Sequence, residues 1–192
     1  NRDVRIVAMS GWVVVADPSD GVFDALRENR SLVRDAQLRE LALIAQACDE
    51  SFVDESRADY ATERLIVAGA DGTASLGEFL SLELGGLLGI APVEASILIR
   101  DVLNLRDRHP ELWGHTQAGR LTPSEAFRVV RRCAEAGLSC EAARWVDHHL
   151  GLGLAGLPWA RVKRSLNGLI VKADAALAAR RAEERRQERH VF

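Results

Sequence analysis

The sequence predicts an all-α fold: a multi-helix bundle with a helix-turn-helix-like unit and a short N-terminal β-hairpin or extended arm. Three observations predict it. Alanine, leucine, arginine and glutamate dominate a chain of 192 residues that is 47% hydrophobic and only 5% aromatic, a mixture that favours helices around one core. Ser75 with Glu78, and Thr122 with Glu125, have the spacing of capping boxes, the second followed by Pro123 at the first helical position. Apolar residues recur at three- and four-residue steps along most of the chain.

Taken in order, residues 1–21 form the arm. Residues 4–16 are valine-rich and interrupted by Ser10-Gly11, which suits a hairpin, and Asp17-Pro18-Ser19-Asp20-Gly21 breaks the run. A secretory leader is the competing reading, since Arg2 and Arg5 precede an apolar stretch closed by Val14-Val15-Ala16. Asp3 and the polar Ser10-Gly11 oppose it. Met9 is the single methionine, so the native start is expected at Met9 or upstream.

Residues 22–72 read as a long helix to about Phe52 and a helical hairpin. Leu38, Leu41, Ala45, Cys48 and Phe52 form a coiled-coil-like seam of about two heptads. That length suits an intramolecular hairpin, with residues 60–68 returning, better than a dimer zipper.

Residues 73–173 read as the core module. Ser75 opens a helix to about Leu88, Gly89 ends it, and Pro92 starts another to about Leu105, the pattern of a helix-turn-helix. Its second helix offers Glu94, Ser96, Arg100 and Asp101 outward, a poor set for base edges, so two helices packed at a sharp angle are favoured over base readout. His109-Pro110 stops that helix. The segment through Trp113 to Leu121 reads as a loop, its tryptophan buried where the flanking helices meet, and the helix from Pro123 follows. Residues 174–192 read as a charged connector helix of mixed sign, leading to a missing C-terminal domain.

Net charge is −3, with a gradient: residues 1–75 carry net −6, residues 76–157 net −2 and residues 158–192 net +5. Affinity for a polyanion therefore belongs toward the C-terminal third. Cys48, Cys133 and Cys140 are odd in number and contain no CxxC pair, which points to reduced thiols in a cytoplasmic protein. No run reaches the length of a membrane span.

Phe79-Leu-Ser-Leu-Glu-Leu84, Leu88-Gly-Ile-Ala-Pro-Val-Glu-Ala95, the run from Leu105-Arg106 through Leu112-Trp113 to Ala118-Gly119-Arg120-Leu121, Arg128 with Arg131-Arg132, Glu141-Ala-Ala-Arg-Trp-Val-Asp147 and Arg189-His190-Val191 follow in that order. Their order and spacing resemble the N-terminal helical module of the actinobacterial repeat-family HNH-endonuclease-like proteins (domain of unknown function 222). The resemblance implies a helical module that usually precedes an HNH nuclease domain. It also implies a role in engaging DNA, with any catalysis belonging to a full-length parent.

The residues themselves carry no catalytic constellation. An HNH site needs a general-base histidine beside a metal-holding one, and adjacent His148 and His149 point about 100° apart on a helix. His149 shares a face with Trp145 and is expected half-buried, His148 exposed. A zinc site from His109, His115 and His148 is disfavoured, and Gly85-Gly86 lies in an apolar helix without a phosphate-loop lysine. No cofactor, no metal, no membrane and no small-molecule substrate is expected.

The nucleic-acid-binding candidates are Arg128, Arg131, Arg132, Arg161, Lys163, Arg164 and Lys172. The first three lie opposite the stripe of Ala126, Phe127, Val130 and Cys133, where Glu125 and Glu135 could neutralise them. The other four sit between Trp159 and Ala173, a stretch without an acid. DNA contact through phosphates is one expectation. A protein-interaction or dimerisation module, in which a second copy is the partner, is the alternative.

Overall fold

Asp20–Glu50 forms one 31-residue helix, α1, in the computed structural model, which describes residues 6–9, 12–15, 20–51, 64–150 and 157–173. The chain divides into two compact units, Asn1–Ala36 and Gln37–Phe192. In the first, β1 (Ile6–Met9) and β2 (Trp12–Val15) pair antiparallel, from Ile6 opposite Val15 to Met9 opposite Trp12. The N-terminal arm is thus a hairpin.

In the second unit the seam on α1 is buried. Leu41, Ala45 and Cys48 are each 5% exposed or less, and Ile44 joins them. Among the described residues no returning helix covers this seam. Leu41 and Ile44 line a cleft with Leu98 and Phe127 instead, and Arg106 donates to the Ala45 carbonyl at 3.1 Å and to Asp49 at 2.7 Å. Within the expected arm, Leu65–Val67 is a strand, β3, paired antiparallel with β4 (Ser75–Gly77). Phe52 and residues 60–63 lie outside the described residues.

The expected capping box at Ser75 is likewise replaced. Ser75 is committed to the β3–β4 ladder, and the Glu78 carboxylate accepts the Arg64 N–H at 3.4 Å and pairs with the Arg64 guanidinium at 3.3 Å. Helix α2 starts later, at Leu80–Leu88. Gly89 ends it with φ +67°, a left-handed conformation suited to glycine. Helix α3, Pro92–Arg108, leaves at 108°, inside the range of helix-turn-helix units. It is the central helix: Ala95, Ile99, Val102, Leu103 and Leu105 are at most 1% exposed.

Pro110–Gln117 is a helix, α4, where a loop is expected from the sequence. Pro110 does end α3, but it also occupies the first turn of the next helix, where its missing N–H costs nothing. The cap comes from Asp147. Its Oδ2 accepts the Glu111 N–H at 2.8 Å and its Oδ1 the Leu112 N–H at 3.1 Å.

Helix α5 is Pro123–Glu135, α6 is Cys140–Leu150 and α7 covers residues 159–173. The Thr122 box forms as expected: the Glu125 N–H donates to Thr122 Oγ1 at 3.3 Å, and the Glu125 carboxylate accepts the Thr122 N–H at 2.8 Å. Thr122→Ala is expected to cost about 1 kcal/mol, read as a lower midpoint in urea with an unchanged slope. Trp113, Trp145 and Trp159 are all half-buried against the same core. The connector, residues 174–192, lies outside the described residues.

Candidate nucleic-acid interface

Helix α5 buries Ala126, Val129, Val130 and Cys133 and so turns its arginines away from the core, but they do not form one free row. Arg131 reaches α3, with Nε 2.6 Å and Nη2 2.5 Å from Asp101 Oδ2. Asp101 is fully buried and also receives Arg100 at 3.2 Å. The expectation that Asp101 faces outward is therefore corrected: it lies on the side of α3 that meets α5, and a carboxylate held there needs a cation. Arg132 turns to α7, donating through Nε to Asn167 Oδ1 at 2.9 Å and pairing with Glu135 at 3.5 Å. Glu125 is occupied by its capping box. Arg128 lies with its guanidinium carbon 5.8 Å from the centre of the Trp159 ring, a cation–π contact that leaves its N–H groups available to an acceptor.

Helix α7 differs. Val162, Leu166, Ile170 and Ala173 face the core, and Arg161, Lys163, Arg164 and Lys172 are exposed. None has an ionic partner among the described residues. Arg161, Arg164, Gly168 and Lys172 recur at three- and four-residue steps and share one face, whereas Lys163 lies on the other flank. Arg164, Ser165, Gly168 and Lys172 line a cleft with His149 of α6. His149 is exposed rather than half-buried; its ring stacks on Trp145, with centroids 3.8 Å apart, and its Nδ1 donates to the Trp145 carbonyl at 2.8 Å.

The remaining histidines are separated by their partners. Exposed His148 pairs with Glu111 at 2.7 Å. His109 is not at the surface: it is fully buried, and its Nδ1 donates to the Asn104 carbonyl at 2.9 Å. Burial holds its pKa down at about 4. No group of three histidine, cysteine or acidic side chains is placed to hold a metal ion among the described residues. Burial pushes the thiols of Cys48 and Cys133 up to about 11 and about 12, so neither supplies a reactive thiolate near neutrality.

No family model, curated protein or solved structure matches the chain. The structure divides the seven candidate cations into two that are held by partners within the fold, Arg131 and Arg132, and five that reach solvent without an ionic partner. The cleft residues His149 and Ser165 were not among the candidates, because nothing local in the sequence places the end of α6 against the middle of α7.

Proposed function

We propose that the chain is a non-catalytic helical module that engages DNA through its phosphates, with α7 as the contact surface. The observation that carries this reading is the face of Arg161, Arg164 and Lys172: three exposed cations, no acid on their helix, and no ionic partner among the described residues. Arg128 adds a fourth donor beside it over Trp159. Such a face suits a phosphate row because it offers charge and donors without Asn or Gln to read a base edge. The resemblance to the helical module of HNH-endonuclease-like proteins supports the same reading and would assign cleavage to another part of a larger protein.

Duplex DNA should bind weakly, with little sequence preference. The logarithm of the affinity should fall against that of salt with a slope of about −3 for three phosphates. Reversing Arg161, Arg164 and Lys172 to glutamate together should abolish binding and leave the helical circular dichroism unchanged, since all three side chains are exposed. Lys163→Glu, on the other flank, should weaken it less. Fluorescence anisotropy of a labelled duplex at low salt is the measurement, and equal binding by the parent and the triple variant overturns the assignment.

A second reading has its own support. Leu82, Leu87 and Val93 on α2 and α3 are 53%, 81% and 65% exposed, which suits a protein-interaction or dimerisation surface. A parent chain that self-associates in sedimentation and binds no DNA at low salt favours this reading.

A further inference from the structure

The loop between β3 and β4 is tied to α3 by side chains that take its backbone N–H groups: Asn104 Oδ1 accepts from Ala70 at 2.9 Å and Asp107 from Ala74 at 3.1 Å. Between that loop, α3 and α5 lies a cleft lined by Gly69, Ala70, Arg100, Asn104, Arg131 and Glu135. Asn104 is 1% exposed, and its Nδ2 donates to nothing, although a buried amide donor is ordinarily paired. The two arginines beside it are fixed by Asp101. Each directs its Nε and Nη2 at that carboxylate, which leaves the Nη1 hydrogens of both without a partner among the described residues.

We propose that this cleft is a binding site for the carboxylate of a small organic acid. The buried unsatisfied group among the lining residues, Asn104 Nδ2, is a donor, as are the two free Nη1 groups, so the complementary ligand group is an acceptor-only oxyanion. Arg100 and Arg131 share the buried Asp101, and Glu135, which also lines the cleft, pairs with Arg132, so three cations against two acids leave an excess of a single positive charge, which a monoanionic carboxylate matches. Glu135 at the rim opposes a dianion such as phosphate. A carboxylate spanning the two guanidinium groups would find both arginines already oriented, in the same cleft as Asn104, whose Nδ2 lacks an acceptor. The site is separate from the α7 surface and does not rest on the DNA reading.

A titration of the ¹⁵N-labelled full chain with acetate, against chloride and inorganic phosphate at matched ionic strength, tests this. Acetate should shift the Asn104 side-chain amide and the Arg131 Nε–H signals saturably, and more strongly than phosphate does. Arg100→Met should weaken the acetate effect about tenfold with unchanged circular dichroism, because Arg131 still holds Asp101. The α7 triple glutamate variant should bind acetate as the parent does. An equal response to chloride, stronger binding of phosphate, no saturable shift, or loss of the effect in the α7 variant would each overturn the proposal.

Discussion

Asp147→Ala is expected to destabilise the fold by about 3 to 5 kcal/mol, from one buried and one part-buried donor left without an acceptor, at about 1 to 3 kcal/mol each, plus a small void. The Asp147 carboxylate is 3% exposed and alone caps α4, accepting from Glu111 and Leu112. In this chain length the loss is a fall of roughly 10 °C or more in Tm. Asp147→Asn should fall between, because one carbonyl oxygen can accept from one of the two N–H groups while the amide nitrogen cannot accept from the other. Amide exchange should separate the cap from a general packing defect: the Glu111 and Leu112 amides should lose protection first. A loss under about 1 kcal/mol for the alanine variant would mean that water replaces the carboxylate at this helix end.

His109→Gln is expected to change how stability depends on pH, by about 3 kcal/mol relative to the parent between pH 6.5 and pH 4. Burial lowers the folded-state pKa of His109 from 6.5 to about 4, with Arg108 adding to the fall. The unfolded chain therefore takes up this proton first, and stability from His109 is lost as pH falls through that interval. Asp147 runs the other way. Burial raises its pKa from 3.8 to about 6, against the two N–H bonds that lower it, so the folded chain takes up that proton first and stability rises as pH falls from about 6 to 3.8. The two contributions nearly cancel in the parent between pH 6 and pH 4. Removing His109 leaves the Asp147 contribution exposed, so the variant should gain on the parent upon acidification. Asp147→Asn should lose ground to the parent over the same interval. Urea unfolding at steps between pH 4 and pH 7, taken as differences from the parent, cancels the carboxylates common to all three. Parallel curves would show that neither group titrates inside the fold as described.

Where a structural decision depends on residues within one or two turns of each other, the sequence alone settled it. Thr122, Pro123 and Glu125 start α5 because cap, first-turn proline and returning carboxylate are local. The seam at Leu41, Ala45 and Cys48 is buried because helical spacing places it on one face. The outward cations of α7 follow from the same periodicity.

Where the decisive partner is distant in sequence, only the tertiary structure decided. Helix α4 has no local cap, and the carboxylate that replaces one stands 36 residues from Glu111. Ser75 and Glu78 have the right spacing for a cap, yet the ladder with β3 takes the backbone first, so a correct local signal loses to strand pairing. Arg131 and Arg161 look alike along their helices. The difference is Asp101, 30 residues before Arg131, whose buried charge holds the first arginine while nothing comparable faces the second. Helical periodicity determines which side chains leave the core together; the packing of α5 against α3 and against α7 decides which of them stay free, because charge and hydrogen-bond demands inside the fold are met before any ligand arrives.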